Sequence, residues 1–400
     1  MVKNDYLERV LKARVYDVAI ESPLELAPAL SKRLGNRLYI KREDLQPVFS
    51  FKLRGAYNKM AGLPRRRLAR GVIAASAGNH AQGVALAAAR LGCRALIVMP
   101  VTTPRIKVDA VAARGARVLL HGDSYAEAYE RAMELKKQRG LVFVHPYDDP
   151  EVIAGQGTIG MEILRQHPDP HAIFVPVGGG GLISGIATAA KALKPSIRIL
   201  GVESRNYPSM HQRLAGLPVE CGGDTIAEGI AVKDVGATAL EIIRRLVDEV
   251  LIVEEETIER AVVALIEIEK TVAEGAGAAG LAALLQHRAR FAGHRVGIPI
   301  SGGNIDSRVL ASVLMRGLVR DGRLVRLRVT MPDVSGSLAK VAMVIAEAGG
   351  NIVEIQHQRL FGTSSVRSPE VEFLVETRDR EHTDALVRAL QEKNVKVSAS

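Results

Sequence analysis

The chain has 400 residues, of which 47% are apolar and 4% aromatic, and it has no tryptophan. This length predicts two or three domains, with small aliphatic side chains filling their cores. The net charge is +10, but the basic residues are dispersed, and no helix-turn-helix or basic-aromatic pattern indicates a nucleic-acid-binding protein. Two cysteines, Cys93 and Cys221, exclude a disulfide scaffold. We expect no secretion signal and no membrane span, and therefore a cytoplasmic protein.

Apolar runs typical of strands alternate with helical patterns as far as about residue 320. The helical patterns cover residues 6–13, 27–34, 81–91, 106–114, 125–139, 159–166, 182–193, 256–270 and 278–287. The predicted strands cover residues 38–40, 71–75, 95–99, 117–120, 141–144, 172–176, 197–202, 250–253 and 296–300. Strands that alternate with helices and are apolar throughout predict parallel sheets covered on both faces. Ligands of such sheets bind at the loops that follow the carboxyl ends of the strands.

The pattern changes near residue 323. Residues 324–331 alternate between apolar and polar, which is typical of a strand with one buried and one exposed face. A helix at 338–348, strands at 352–358 and 371–376, a helix at 382–392 and a strand at 395–398 follow. This βαββαβ order predicts a small α+β sandwich. We therefore predict an α/β catalytic domain over residues 1–322 and a second domain over residues 323–400.

Lys52 lies in the run Ser50-Phe51-Lys52-Leu53-Arg54-Gly55-Ala56, at a predicted junction between a loop and a helix. An amine at low solvation near the positive end of a helix favours its neutral form, which is the form that makes Schiff bases. The alternative is a surface lysine in the first turn of a helix.

Four consecutive glycines, Gly178, Gly179, Gly180 and Gly181, follow one predicted strand and open a helix. Bare backbone amides at a helix N-terminus can wrap a small anion, so this stretch predicts a phosphate site rather than only a tight turn. Neither the dinucleotide nor the nucleoside-triphosphate motif is present. The pattern therefore indicates a monophosphate cofactor.

Two more polar stretches follow predicted strands. Ser76-Ala77-Gly78-Asn79-His80 could hold a substrate carboxylate, with Asn79 donating to an oxyanion, and Ser301-Gly302-Gly303-Asn304 lies in an equivalent position. Each stretch alone is also consistent with a helix cap, and His80 alone with a structural histidine. Their joint occurrence with Lys52 in one α/β domain favours a ligand site.

These four stretches, in this order, resemble those of pyridoxal-phosphate enzymes of the tryptophan-synthase-β fold type, also called fold type II. Among these enzymes the chain is most similar to the threonine dehydratases (threonine ammonia-lyases), over residues 6–320. The remaining C-terminal part resembles an ACT domain, a small amino-acid-sensing module. The resemblance implies a two-lobed catalytic domain with parallel sheets in three layers, and one ACT-like regulatory domain.

The resemblance also implies roles for individual residues. Lys52 would form the Schiff base with pyridoxal 5'-phosphate, and Phe51 would lie beside the ring. Asn79 would bond the phenolic oxygen, and Ser301 would meet the ring nitrogen. The cofactor phosphate would be held by Gly178, Gly179, Gly180 and Gly181, and the substrate carboxylate by Ser76, Ala77, Gly78, Asn79 and His80.

The implied reaction is the conversion of L-threonine to 2-oxobutanoate and ammonia, with L-serine converted to pyruvate less well. An L-serine dehydratase, or a serine racemase with dehydratase activity, is an alternative. Related serine racemases tend to carry a serine where Ala77 stands, and alanine cannot act as an acid or base there. A third possibility is an amino-acid sensor that has kept an inactive enzyme domain.

Further expectations concern cations, effectors and assembly. Glu203 and Glu228 are weak candidates for a cation site, with an ion-paired or solvated carboxylate as the alternative. In the ACT-like part, the turn residues that could bind an amino-acid effector, isoleucine or valine, are Asp333, Gly336, Ser337 and Asn351. Ordinary turn and cap chemistry is the alternative for these four. The resemblance implies a homotetramer in isoleucine biosynthesis.

Overall fold

The structure is a computed structural model that describes residues 3–167, 169–358 and 370–399. The chain divides into two compact units, Met1–Ile305 and Asp306–Ser400. The second unit therefore begins before the helix at Ser307–Arg320. The functional boundary between residues 322 and 323 stays a prediction.

The first unit contains a six-stranded sheet in the order β1-β2-β10-β7-β8-β9. All neighbouring strands run parallel except the edge strand β1, which is antiparallel to β2. Strands β7 and β8 carry almost only buried residues, because helices cover both faces of a parallel sheet. The strands are β1 (Leu24–Leu26), β2 (Arg37–Arg42), β7 (Ala172–Pro176), β8 (Arg198–Ser204), β9 (Glu249–Val253) and β10 (Arg295–Ile300).

The second sheet of this unit has four parallel strands in the order β5-β4-β3-β6. Its central strands β3 and β4 are buried along their whole length. The prediction of parallel α/β sheets is therefore confirmed, apart from the antiparallel edge strand β1. The strands are β3 (Val72–Ala75), β4 (Ala95–Met99), β5 (Arg117–Leu120) and β6 (Val142–Phe143).

Helices connect these strands, and six of the nine predicted helices begin within two residues of the predicted position. They are α1 (Lys3–Leu11), α2 (Pro28–Leu34), α3 (Lys52–Ala61), α4 (Arg65–Leu68), α5 (Asn79–Leu91), α6 (Arg105–Ala112), α7 (Tyr125–Arg139), α8 (Pro150–Gln166), α9 (Gly181–Leu193), α10 (Ser209–Leu214), α11 (Ala237–Leu246), α12 (Glu255–Glu267) and α13 (Gly275–Gln286). Short 3₁₀ turns lie at Glu43–Leu45, Glu228–Ile230 and Arg288–Phe291. The helices α4, α10 and α11 were not predicted.

The predicted start of α8 at Ile159 is wrong by nine residues. Asp149 caps the true start, since its side chain accepts from the backbone N–H of Glu151 at 2.9 Å. Glycines in the first half of α8 hid its helical pattern, but they allow close packing. A Cβ at Gly155 would lie 2.7 Å from the Cα of Gly55 in α3.

The second unit combines α14 (Ser307–Arg320) with a four-stranded antiparallel sheet in the order β12-β13-β11-β14. The remaining elements are β11 (Leu324–Thr330), α15 (Ser337–Glu347), β12 (Asn351–Gln358), β13 (Glu370–Glu376), α16 (Arg380–Glu392) and β14 (Lys396–Ala399). The predicted βαββαβ order is thus confirmed. Leu327 and Phe373 point to the core, whereas Arg328 pairs with Glu372 at 2.9 Å on the exposed face. No helix in the described part of the chain is long and apolar enough to cross a membrane.

Candidate active site

Lys52 is the first residue of α3, and its side chain is partly buried. Its Nζ donates to the carbonyl oxygen of Pro146 at 2.8 Å and lies 5.3 Å from the centre of the Phe51 ring. Burial lowers the pKa of the Lys52 amine to about 8, and the charge of Glu274 opposes this shift only in part. A sizeable fraction of the amine is therefore neutral near physiological pH.

The glycine cradle (Gly178–Gly181) joins β7 to the N-terminus of α9. Gly180 has a φ of +94°, a left-handed conformation that favours glycine. A Cβ at Gly179 would come within 2.3 Å of the Tyr147 ring, and a Cβ at Gly181 within 2.6 Å of the Tyr147 carbonyl oxygen. Only bare backbone fits here, at a helix end that favours anions.

The stretch Ser76–His80 turns from β3 into α5. The Ser76 hydroxyl accepts from the N–H of Gly78 at 3.2 Å, and Asn79 opens the helix. Nε2 of the buried His80 lies 2.8 Å from the carbonyl oxygen of Val144. Burial, together with the charge of Lys52, lowers the pKa of His80 to about 3, so its imidazole is neutral. Nε2 of His80 is thus held by the backbone.

Ser301 follows β10 and is 3% exposed. Its carbonyl oxygen accepts from the N–H of Phe51 at 3.2 Å, and Gly302 forms an antiparallel bridge with Ser50. The side chain of Asn304 donates to Oδ1 of Asn79 at 2.7 Å. The structure thus brings the stretches around Lys52, Asn79 and Ser301 into direct contact.

Three residues at this site were missed by sequence reasoning. Pro146 and Tyr147 lie in the segment after β6 and contact Lys52 and the glycine cradle. Glu274 precedes α13, and its Oε1 accepts from Nδ2 of Asn79 at 2.7 Å. The small-residue run Gly275–Gly280 was an available signal, because glycines at a helix start indicate close approach of another backbone.

Burial raises the pKa of Glu274 to about 7. The hydrogen bond from Asn79 and the charges of Lys107 and Lys52 lower it, whereas Glu228 raises it. The site therefore holds an amine and a carboxyl whose pKa values have moved towards each other. Such shifts are typical of functional sites.

The two weak cation candidates have protein partners. Glu203 is buried and accepts from the N–H groups of Met210 and His211 at 2.8 and 2.9 Å. Burial raises the pKa of Glu203 to about 7. Glu228 accepts from Nζ of Lys107 at 2.9 Å. Within residues 3–167, 169–358 and 370–399, no group of three or more His, Cys, Asp or Glu side chains could hold a metal ion.

The four predicted effector residues lie in the second unit. Asp333 and Gly336 are exposed in the turn before α15, and Ser337 is the first residue of that helix. Asn351 opens β12, and its Nδ2 donates to Glu376 at 2.8 Å. Their role in effector binding stays a prediction.

The residues present fit pyridoxal phosphate. The glycine cradle carries no side chains, and a Cβ added there would collide with Tyr147 or with the residues around it. A lysine whose pKa burial has lowered provides a reactive amine. Ser301, a neutral residue, lies at the carboxyl end of β10, where the fold-type resemblance places the ring nitrogen.

Comparison with known proteins agrees with this geometry. The model of the family "Pyridoxal-phosphate dependent enzyme" matches residues 15–302, and that of the ACT domain matches residues 325–394. An L-threonine ammonia-lyase of Thermotoga maritima is 43% identical over 98% of this chain and 96% of its own length. Another, of Geobacter sulfurreducens, is 48% identical over 90% of both chains. The processed threonine deaminase isoform 2 of Solanum lycopersicum is 48% identical, with a TM-score of 0.76 over 78% of this chain and 88% of that structure.

Proposed function

Because the chain belongs to the family of pyridoxal-phosphate-dependent enzymes and ends in an ACT domain, we propose that it converts L-threonine to 2-oxobutanoate and ammonia. It is a carbon–nitrogen lyase, and it also converts L-serine to pyruvate, at a lower rate. The observation that carries the proposal is the buried amine of Lys52, with its lowered pKa, in the same unit as the glycine cradle.

We assign the cofactor contacts as follows. Lys52 would bond the cofactor covalently, and Phe51 would lie beside its ring. The N–H groups of the glycine cradle (Gly178–Gly181) would hold the phosphate, supported by the partial positive charge of the α9 N-terminus. Asn79 would donate to the ring oxygen, and the hydroxyl of Ser301 would face the ring nitrogen. The substrate carboxylate is assigned to the backbone and side chains of Ser76–His80.

When the amine of Lys52 is not bonded to the cofactor, its neutral form can take the α-proton of threonine as general base, since a base acts best when its pKa lies near the working pH. Bound pyridoxal phosphate supplies the electron sink for the pair left by that proton. Ser301 cannot supply a negative charge at the ring nitrogen, which favours loss of the β-hydroxyl over transamination. His80 stays neutral and does not compete for the proton.

Two related activities, racemisation and serine dehydration, are to be distinguished from this one. Racemisation needs an acid or base on the opposite side of the ring, and Ala77 carries no such group. Threonine and serine differ by one methyl group, which changes selectivity by only ~10 to 200-fold. The relative rates on the two substrates therefore distinguish a threonine enzyme from a serine dehydratase.

Regulation and assembly are proposed from the family resemblance. The ACT domain binds an amino-acid effector, and we propose isoleucine or valine at the turn residues Asp333, Gly336, Ser337 and Asn351. We further propose a cytoplasmic homotetramer that acts in isoleucine biosynthesis, with the catalytic domain ending near residue 322. A cation near Glu203 or Glu228 is the weakest of these proposals.

The activity is tested with Lys52→Ala. We expect the visible absorption band of bound cofactor to be lost and the rate of 2-oxobutanoate formation to fall by at least about 10³-fold, since the base is removed. Lys59→Ala, which removes a lysine from the same helix α3, serves as the control and should keep both.

The result that contradicts the proposal is a wild-type protein that shows no visible band after pyridoxal phosphate is added. That result would favour the non-catalytic amino-acid sensor. A band without formation of 2-oxo acid would instead leave the cofactor assignment and reject the lyase reaction.

A further inference from the structure

The side-chain amide of Asn79 is bonded at both ends. Its Oδ1 accepts from Nδ2 of Asn304 at 2.7 Å, and its Nδ2 donates to Oε1 of Glu274 at 2.7 Å. The same Nδ2 of Asn304 lies 2.9 Å from the carbonyl oxygen of Val48. A carbonyl oxygen only accepts, so Asn304 must turn its nitrogen towards Val48 and Asn79. The orientation of Asn79 follows from that of Asn304.

Glu274 occupies only one of the two N–H groups of Asn79. Among the described residues, the one hydrogen bond that Nδ2 of Asn79 donates is this bond to Oε1 of Glu274. A Cβ at Gly302 would come within 3.0 Å of Nδ2 of Asn79 and 2.6 Å of Oε1 of Glu274. Gly302 also bridges to Ser50, two residues before Lys52. The Nδ2 atom of Asn79 therefore lies close to a stretch of backbone without a side chain, which pairs with the residues that lead to Lys52.

The backbone holds the Glu274 end of this chain of hydrogen bonds in place. The N–H of Glu274 donates to the carbonyl oxygen of Gly302 at 3.1 Å, at the start of α13. Gly277, one turn further along α13, leaves no room for a Cβ, which would lie 2.4 Å from the same oxygen. The carboxylate therefore reaches Asn79 from a fixed position.

We infer that Glu274 and Asn304 are positioning residues that fix the Asn79 amide, so that its second N–H is presented to the ring oxygen of pyridoxal phosphate. This inference rests on the proposed function. Neither residue needs to touch the cofactor or the reacting atoms. Without them the side-chain amide of Asn79 can flip. The flipped amide would present its Oδ1, and not an N–H, to the ring oxygen of the cofactor.

The charge of Glu274 adds a dependence on pH. Burial raises the pKa of its carboxyl to about 7, while Asn79, Lys107 and Lys52 lower it and Glu228 raises it. Lys107 and Glu228 also pair with each other at 2.9 Å. Above this pKa the hydrogen bond from Asn79 is charge-assisted, and below it the bond weakens. The electronic state of the bound cofactor should follow this change.

The test uses the full-length protein loaded with pyridoxal phosphate and records its absorption maximum from pH 5.5 to 8.5 as about ten spectra per variant, a spacing fine enough to resolve one pKa unit. We expect the wild-type maximum to shift with a midpoint near pH 7, and Glu274→Gln to lose this shift. We also expect the dissociation constant for the cofactor to rise by about threefold to tenfold, the effect of one weakened hydrogen bond.

Glu203→Gln is the matched control. It removes a second buried carboxyl whose pKa burial raises to about 7, but that carboxyl accepts from Met210 and His211 and not from Asn79. The spectral shift should persist in this variant. Asn304→Asp tests the other hydrogen bond of Asn79, because an ionised aspartate cannot donate to it. This variant should weaken cofactor binding in the same way.

The inference is overturned if Glu274→Gln and Asn304→Asp both keep the wild-type midpoint and bind the cofactor within twofold of the wild type. It is also overturned if Glu203→Gln loses the shift as fully as Glu274→Gln does. Failure of the proposed function looks different, because the wild-type protein itself would then show no cofactor band, and the inference would fall with it.

Discussion

Lys52 and Arg54 lie two residues apart at the start of α3, and their pKa values shift in opposite directions. Lys52 donates to a carbonyl oxygen and feels the charge of Glu274, and burial lowers its pKa to about 8. Burial also opposes the charge of Arg54, but Glu43 and Glu162 outweigh it and raise the pKa of its guanidinium. The difference is one of partners, since burial lowers the pKa of both groups and only Arg54 has carboxylates that reverse the shift.

The buried ion cluster (Lys41, Glu43, Arg54 and Glu162) explains the behaviour of Arg54. Its guanidinium donates to Glu43 at 2.8 Å and to Glu162 at 2.6 Å, and Lys41 pairs with Glu162 at 2.6 Å. All four side chains are at most 1% exposed. Two cations and two carboxylates balance, so the cluster anchors α3 while Lys52, without such partners, stays reactive.

The largest effect is expected from Arg54→Met. It leaves the carboxylates of Glu43 and Glu162 buried without their main partner, and breaking a buried pair costs about 3–5 kcal/mol of unfolding free energy. Urea unfolding of the wild type and the variant measures the difference. Arg66→Met, an exposed arginine on α4, should stay within about 0.5 kcal/mol. A loss for Arg54→Met as small as that would show that the cluster is not an anchor.

A smaller effect is expected in the pH dependence of stability, to which the amine of Lys52 contributes. The pKa of Lys52 is about 8 in the folded chain and 10.5 as the ordinary value, so between these limits the unfolded chain holds more protons. Stability of the cofactor-free protein should therefore rise with pH over this window, by at most about 3 kcal/mol. The rise should be absent in Lys52→Met, and unfolding at pH 7.5 and pH 10 measures it. Equal slopes in the two proteins would contradict a lowered pKa.

The smallest effect concerns the glycine cradle and not the buried ion cluster. Gly179→Ala places a Cβ 2.3 Å from the Tyr147 ring, and overpacking of about 1–3 kcal/mol should weaken pyridoxal phosphate binding by about 5- to 150-fold. Cofactor titration measures this. Gly62→Ala is the control, because a Cβ there meets nothing closer than 3.6 Å. Adding Tyr147→Ala should restore part of the affinity, and a double variant no better than Gly179→Ala would argue against this clash.

Much of the fold was readable from the sequence, for particular reasons. Strand β4 and helix α7 have the predicted bounds, because one is apolar throughout and the other begins with the capping box of Ser124 and Glu127. The amphipathic helix α11 was missed, although its apolar residues Ile242 and Ile243 are buried. The start of α8 was missed because glycines that serve packing against α3 weaken its helical signal.

The sequence by itself determined the order of elements, the division into an α/β part and an α+β part, and the stretches around Lys52, Asn79, the glycine cradle and Ser301. These depend on local periodicity and on residue types that few other roles require. Only the tertiary structure decided that Glu274 reaches Asn79, 195 positions away along the chain, and that Arg54 rather than Lys52 receives the buried carboxylates. The physical reason is that the pKa of a buried group depends on partners that are distant in sequence, and local sequence patterns do not identify these partners.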